Sequence, residues 1–285
     1  MAVLLGWVVG FLAVRFVLVA GHDMLHAPVL ERANYRGRIL VTAGGLFLVM
    51  GVLVVEAGRS TLGAFDVGDP PGANAARPLV LFAAFGFGLL GFMDDVLGSE
   101  DRGFKGHLRA LSQGRLTTGM LKLIGGAAIA LVLAAAPGFV TGQRLVSDAL
   151  LIALAANLGN LLDRAPGRAL KCSLVAYVPI ALVAGTGPVG IALAPVMGGA
   201  LGLLPNDLRE RMMLGDTGAN VLGGVLGLAV VLECSRTTRN VVLIVLILLN
   251  VAAEFVSFTK VIEKVPPLRW LDRLGRQKEL PDAAN

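Results

Sequence analysis

Residues 78–95, PLVLFAAFGFGLLGFMDD, join an apolar run to two adjacent aspartates, Asp94 and Asp95. Such a run is typical of a membrane-crossing helix, because a bilayer core needs about 20 mostly apolar residues to span it. Carboxylates are costly at the edge of lipid, so the pair is a candidate functional site, with a solvated helix end as the simpler alternative. A bound Mg²⁺ would relieve the repulsion between the two charges, since this ion prefers carboxylate and phosphate oxygens.

The rest of the chain repeats this apolar pattern. Of its 285 residues, 55% are hydrophobic and 16% are charged, whereas soluble domains average about 25% charged residues. We therefore predict an all-α, polytopic membrane helix bundle that forms one integral membrane domain over residues 1–285. About nine transmembrane helices are expected, at residues 2–20, 39–57, 78–93, 117–136, 144–162, 169–186, 187–204, 217–233 and 240–258. Gly and Pro residues predict a hairpin within 169–204, and a single broken helix is the alternative there.

Basic residues indicate how the chain is oriented. Most Lys and Arg residues fall in alternate connections and in the C-terminal tail. Because basic loops stay on the cytoplasmic side, we predict an N-out, C-in, multi-pass protein of the cell (inner or plasma) membrane. Residues 259–285 then form a cytoplasmic tail whose Leu, Trp and Arg pattern predicts an amphipathic interfacial helix. The net charge of +5 fits an anionic membrane surface, and we expect no nucleic-acid partner.

Further polar residues lie on the predicted side of the aspartate pair. Asn160 and Asp163 end the fifth span three residues apart, and Asn206 precedes Asp216 at the start of the eighth span. Contacts between helices and ordinary N-capping are the simpler explanations. A helix start also attracts phosphate, because its first backbone N–H groups point outward. Carboxylates, a metal ion and basic side chains together are typical of phosphoryl transfer.

Four motifs resemble, in order and composition, those of the polyprenyl-phosphate N-acetylhexosamine-1-phosphate transferases. They are VTAGG at 41–45, GFMDD at 91–95, NLLD at 160–163 and LGDTGANVLGG at 214–224. The resemblance implies a helix bundle with a cytoplasmic active site that moves a sugar 1-phosphate from a UDP-sugar to polyprenyl phosphate and releases UMP. It implies Mg²⁺, or Mn²⁺ in its place, as cofactor, and a role in cell-wall glycan synthesis such as that of peptidoglycan. The implied partners are the nucleotide-sugar, the polyprenyl phosphate and the lipid bilayer, and a homodimer stays open.

The same resemblance assigns roles to individual residues. Asp216 corresponds to the Mg²⁺ ligand, Asp94 and Asp95 to the acidic pair at the lipid phosphate, and Asp163 to the acid of an Asn-x-x-Asp motif, so these four aspartates are the catalytic candidates. The substrate-binding candidates are Arg36, Arg38, Thr42, Lys105, Lys122, Asn160, Asn206, Arg273 and Arg276. Membrane anchoring is the simpler explanation for most of the basic ones.

The chain also departs from the family pattern. Pro166 stands where the family has a second aspartate, and LRERMM at 208–213 replaces a Pro-Ala motif before Asp216. The last connection keeps Asp272 and Arg273 but lacks the histidines that follow this pair in the family, so that Arg276 is the cation available there. These departures leave two alternatives open: a catalytically inactive member that acts as a scaffold, and a membrane transporter.

Overall fold

The computed structural model describes residues 1–21, 24, 27–98, 113–114, 117–138 and 141–277. Within these ranges the chain forms nine long helices and two short ones. The long helices are α1 (Ala2–Ala20), α2 (Gly45–Ala64), α3 (Ala76–Leu97), α4 (Thr118–Ala135), α5 (Gly142–Leu162), α6 (Arg168–Ala184), α7 (Pro188–Leu208), α8 (Gly215–Glu233) and α9 (Arg236–Phe255). The C-terminal tail holds α10 (Phe258–Lys264) and α11 (Pro266–Arg273). A 3₁₀ turn (Pro28–Leu30) leads into a two-stranded antiparallel hairpin, β1 (Glu31–Ala33) and β2 (Ile39–Val41).

The helices have the length and surface of membrane spans. Eight helices of the described ranges are long and apolar enough to cross a membrane, and α6, with 17 residues, is slightly shorter. Large apolar side chains on α1 and α9 are exposed, as with Phe16 at 71% and Leu248 at 63%. Such surfaces suit lipid, since soluble proteins seldom expose large contiguous apolar patches. The predicted all-α polytopic bundle is confirmed, and its N-out, C-in orientation stays a prediction.

Three boundaries differ from the sequence prediction or decide between its alternatives. The second span begins at Gly45, not at residue 39, because residues 39–41 pair with β1. The third helix continues to Leu97, so the aspartate pair lies in its last turns and not after its end. Between α6 and α7, Gly185 takes a positive φ of 51°, which favours glycine. The predicted hairpin is thus confirmed, and the single broken helix is wrong.

Helix α8 is the centre of the bundle. Most of its side chains are buried, and it packs against α3, α5, α6 and α2. Gly91 of α3 lies against the backbone of Asp216, where a Cβ atom would collide with it. The end of α3 and the beginning of α8 are therefore in direct contact, which places the acidic motifs of two distant segments side by side.

Candidate active site

Asp95 caps the N-terminal end of α8 from the neighbouring helix α3. Its Oδ1 accepts the backbone N–H of Asp216 at 3.1 Å, and its Oδ2 accepts the N–H and the hydroxyl of Thr217 at 3.0 and 2.6 Å. Thr42 donates its hydroxyl to the same carboxylate at 3.2 Å. The first N–H groups of a helix lack partners within the helix, and its dipole stabilises a carboxylate there. Simple capping of α8 by its own Asp216 or Thr217 is therefore wrong, because the cap comes from α3.

Asp94 belongs to a second group that joins α3, α4, α5 and α8. The Nζ of Lys122 lies 3.3 Å from the Oδ2 of Asp94 and also donates a hydrogen bond to the Oδ2 of Asp216. Asn160 donates its side-chain N–H to that same Asp216 oxygen at 2.6 Å. Four predicted site residues from separate helices thus form one connected group, in which Lys122 and Asn160 both bind the Asp216 carboxylate and Lys122 also contacts Asp94. The side chains of Asp94 and Asp216 each keep 27% exposure, so a ligand can reach them.

A cavity of about 240 Å³ lies beside this group, and we call it the acid cavity. Its acidic lining residues are Asp95, Asp163, Asp207, Glu210 and Asp216. The pKa of Asp163 is raised well above its usual value, first because burial disfavours the charged form and then because Asp207 and Asp216 place negative charge nearby. A space surrounded by this many acids favours the binding of a cation.

Backbone pairing fixes the segment that precedes Asp216. The N–H of Met213 donates to the carbonyl of Val41 at 2.8 Å, and the N–H of Gly45 donates to the carbonyl of Leu214 at 2.8 Å. Gly215 has a φ of 73°, and a Cβ atom there would come within 2.7 Å of Asp95 Oδ2. Glycine is therefore required directly before Asp216, both for its backbone conformation and for the close approach of the cap.

The hairpin arginines are held by an acid that the sequence analysis did not select. Glu210 is buried, and its carboxylate lies 3.1 Å from Arg36 and 3.7 Å from Arg38. Asn34 of the hairpin donates to the same carboxylate at 2.9 Å. Glu210 thus pairs with both arginines and fastens the hairpin to the connection between α7 and α8. Their predicted contact with substrate stays a prediction.

Asn206 and Asp207 are neighbours in sequence but have different surroundings. The Oδ1 of Asn206 accepts a hydrogen bond from Arg15 of α1 at 3.0 Å. Asp207 lines the acid cavity, and its two oxygens accept the backbone N–H groups of Gly167 and Leu214 at 2.6 and 3.1 Å. The structure thus places Asn206 in a contact between α1 and α7, and it places Asp207 where Asn206 was expected.

The C-terminal tail packs beside the acid cavity and encloses a second, basic cavity of about 730 Å³. Asp272 accepts two hydrogen bonds from Arg168, at 2.8 and 3.1 Å, and lies 2.6 Å from Arg276. Burial alone would raise the pKa of Asp272, but the Arg168 hydrogen bonds and the Arg276 charge outweigh burial and lower it. Arg276 also donates to the carbonyl of Pro166 at 3.0 Å, so two departures from the family pattern are in contact.

Three other arginines line the basic cavity with their side chains exposed: Arg164, Arg269 and Arg273. Among the residues that the structure describes, none of the three forms an ion pair with an acid. Tyr35, Arg164 and Ala165 line both the basic and the acid cavity. The two cavities are therefore adjacent, with surplus acids in one and surplus arginines in the other.

An apolar groove of about 490 Å³ leads away from the Asp94 group between α3, α4 and α5. Its polar end is formed by Asp94, Lys122, Asn157, Asn160, Asp216 and Asn220, and the remainder by Phe87, Leu90, Leu123, Leu150, Leu154 and small residues. Leu123 is 56% exposed and Leu150 41%, so the groove is open at the surface that faces lipid in a membrane.

Two of these carboxylates could hold a metal ion only if other ligands completed its shell. Across the described ranges, no group of three or more His, Cys, Asp or Glu side chains is arranged to hold a metal. Mg²⁺ commonly binds one or two carboxylates and completes its shell with water and substrate phosphates. Asp216 and Asp94, which contact the same lysine, supply two such carboxylates. Lys105 lies outside the described residues, so its predicted role has no structural counterpart.

Sequence reasoning missed Asp207, Glu210 and Arg269 as parts of this region. All three lie in charged segments, where membrane anchoring explains most residues. The available signal was the pair of acids within NDLRERMM at 206–213, since acids are unusual among the basic residues of a predicted cytoplasmic loop. Their importance depends on which groups and cavities they meet in the folded protein, and no spacing rule in the sequence reveals that.

Comparisons with known proteins identify the family of the chain. A family model described as Glycosyl transferase family 4 matches residues 78–233, more than half of the chain. Among the curated relatives, a phospho-N-acetylmuramoyl-pentapeptide-transferase from Desulforamulus reducens is 31% identical over 238 residues, which cover 76% of this chain and 68% of the relative. Proteins with the same description from Deinococcus radiodurans and Desulforudis audaxviator are 29% and 30% identical, covering 65% and 70% of this chain.

This chain spans 59% and 62% of the length of the latter two relatives. The matched region runs from the first turn of α3 to the end of α8 and includes Asp94, Lys122, Asn160, Asp163 and Asp216. The chain therefore belongs to glycosyl transferase family 4, as a divergent member of that family of transferases.

Proposed function

We propose that this protein transfers a sugar 1-phosphate from a nucleotide-sugar, of the UDP-N-acetylhexosamine type, to a polyprenyl phosphate. The reaction takes place at the cytoplasmic face of the cell membrane, releases UMP and serves cell-envelope glycan synthesis. The observation that carries this proposal is the meeting of Asp94, Lys122, Asn160 and Asp216 at the polar end of the apolar groove. The names of the relatives support the same class of reaction.

The groove suits the lipid acceptor. A prenyl chain is apolar and is supplied from the bilayer, and the groove is open at the lipid-facing surface beside Leu123 and Leu150. Its polar end would then receive the phosphate next to Lys122. The ammonium group has three N–H donors, so it can hold Asp94 and Asp216 and still donate one hydrogen bond to a phosphate oxygen.

The donor is assigned to the two adjacent cavities. Its diphosphate needs positive charge, and the exposed side chains of Arg164 and Arg273 supply it next to the acid cavity. Arg276 is fixed by Asp272 and by the Pro166 carbonyl, and because Arg168 pairs with the same acid, the three side chains together keep one net positive charge. The beginning of α8 adds outward backbone N–H groups and the positive end of its dipole.

The chemical step needs alignment more than proton removal. A phosphate monoester has a second pKa of about 6 and is largely ionised at neutral pH. One of its oxygens attacks the β-phosphorus of the donor, the bond from that phosphorus to the bridging oxygen breaks, and UMP leaves with the electron pair. Lys122 would orient the attacking phosphate, while Asn160 and Asp95 hold Asp216 and the start of α8 in place.

Asp216, with Asp94 beside it, would hold Mg²⁺. When bound, this ion neutralises charge on the diphosphate and on the leaving UMP. Without it, the carboxylates of Asp94 and Asp216 would face two phosphorylated substrates. The role of the chain is to fix these carboxylates at positions that the substrates can reach.

The test is release of nucleoside monophosphate by the purified full chain. It is supplied with polyprenyl phosphate, Mg²⁺ and a panel of UDP-sugars, followed by sugars on other nucleotides. We expect UMP and a lipid-linked sugar diphosphate in equal amounts from at least one donor. No monophosphate from any donor would overturn the proposal and would favour a scaffold or a transporter.

A further inference from the structure

Asp207 connects two segments that carry predicted catalytic acids. It lies at the end of α7, and only 4% of its surface is exposed. Its Oδ2 accepts the N–H of Gly167, in the connection that begins with Asp163, at 2.6 Å. Its Oδ1 accepts the N–H of Leu214, two residues before Asp216, at 3.1 Å. One carboxylate thus joins the connection after α5 to the segment before α8.

We propose that Asp207 is a positioning residue that fixes the separation of Asp163 and Asp216. The expected effect on turnover rests on the proposed function, but the two hydrogen bonds that join the segments are independent of that function. Neither acid is held by Asp207 directly. Each lies close in sequence to the backbone group that Asp207 binds, so the loss of either hydrogen bond removes this link between the two segments.

A carboxylate is specifically required at this position. Both partners are backbone N–H donors, and an ionised carboxylate offers only acceptors. An asparagine would offer one acceptor and one N–H group, and the latter would face a second donor. Burying a charge is costly unless it is well hydrogen-bonded. The two charge-assisted hydrogen bonds reduce that cost, and Arg276, bound to Pro166 on the same connection, supplies a positive charge.

The experiment compares Asp207→Asn with Asp148→Asn in the purified full chain. Asp148 is equally buried, at 4%, but it pairs with Arg239 at the opposite end of α5. Hydrogen exchange is measured for the peptides that contain Gly167 and Leu214. We expect exchange to rise about tenfold in at least one of these peptides in Asp207→Asn, the effect of losing one charge-assisted hydrogen bond, and to stay unchanged in both peptides in Asp148→Asn.

Turnover and KM provide the second measurement. In Asp207→Asn we expect kcat to fall roughly 10- to 100-fold, as for other residues that orient a reactive group, with little change in the KM for polyprenyl phosphate. Unchanged exchange at both peptides would overturn the inference, and so would faster exchange with unchanged kcat. If the wild-type chain itself releases no monophosphate, the proposed function fails. Hydrogen exchange alone then still decides whether Asp207 links the two segments.

Asp207→Glu keeps the inference testable if the asparagine variant unfolds. Glutamate preserves both acceptor oxygens, although one methylene farther from the backbone. We expect it to fold and to regain part of the exchange protection and part of the kcat. Identical behaviour of the glutamate variant and an Asp207→Ala variant would show that the acceptors are irrelevant and would overturn the inference.

Discussion

The two ends of α5 are marked by acids in opposite electrostatic settings. Near its beginning, Asp148 is matched by Arg239 at 2.8 Å and by Arg144 at 3.3 Å. About 22 Å farther along the helix axis, Asp163 shares the acid cavity with four other acids. The first arrangement is complete within the protein. The second has fewer cationic partners among the described residues, and we propose that a ligand supplies the remaining positive charge. This difference separates a structural acid from a candidate catalytic one.

Of the substitutions at the two ends of α5 and its neighbours, removal of the Asp216 charge should have the largest effect on turnover. We expect Asp216→Asn to lower kcat by roughly 1,000-fold, because a group that acts at the developing charge of phosphoryl transfer is lost. The measurement is release of UMP per folded molecule. Asp148→Asn is the matched control, and it should keep wild-type turnover per folded molecule. Equal losses in both variants would contradict the distinction between the two ends.

Near the beginning of α5, where Asp148 is paired with arginines, a substitution should lower the stability of the protein and leave its turnover unchanged. Arg239→Ala leaves Asp148 buried with only the partly exposed Arg144 as partner. Breaking a buried ion pair in this way costs about 3 kcal/mol of unfolding free energy. Denaturant unfolding in detergent measures this loss, while the kcat of the folded fraction should stay unchanged. A normal stability with reduced kcat would reverse the roles that we assign.

Substitution in the basic cavity should have a smaller, substrate-specific effect. We expect Arg273→Gln to raise the KM for the nucleotide-sugar by about tenfold, the value of one hydrogen bond to a charged group. Neither kcat nor the KM for polyprenyl phosphate should change much. Lys264→Gln, an exposed tail residue outside this cavity, is the control. An increase confined to the KM for polyprenyl phosphate would show that the nucleotide-sugar binds outside the basic cavity.

The smallest expected effect concerns the C-terminal tail, whose docking should depend on pH. The pKa of Asp272 is lowered, so its contacts stabilise tail docking at pH values above about 4, the ordinary value for aspartate. That stabilisation is lost as pH falls through the lower folded value. Emission of Trp270, recorded in a Trp7→Phe background between pH 6 and pH 3, reports the change. Asp272→Asn should remove the transition, and its persistence would assign it to another group.

Much of the fold could be predicted because lipid imposes a length on every span. The apolar runs therefore indicated nine helices, and their alternation brought Asp94, Asp163 and Asp216 to one end. The residues that hold these acids were less accessible to prediction. Asp95 caps α8 from α3, and Asp207 binds two loops by their backbone. Such partners are set by helix packing, which leaves no pattern in the linear sequence.

The most direct test of the account is binding of Mn²⁺, a paramagnetic ion that takes the same oxygen ligands as Mg²⁺, in the presence of UMP. Electron paramagnetic resonance would titrate the wild-type chain, Asp216→Asn and Asp148→Asn. We expect one ion per chain with equal affinity in wild type and Asp148→Asn, and an affinity at least about tenfold weaker in Asp216→Asn. Equal binding by all three proteins, or binding by none, would contradict the claim that the acid end of the bundle is completed by a metal ion and a nucleotide.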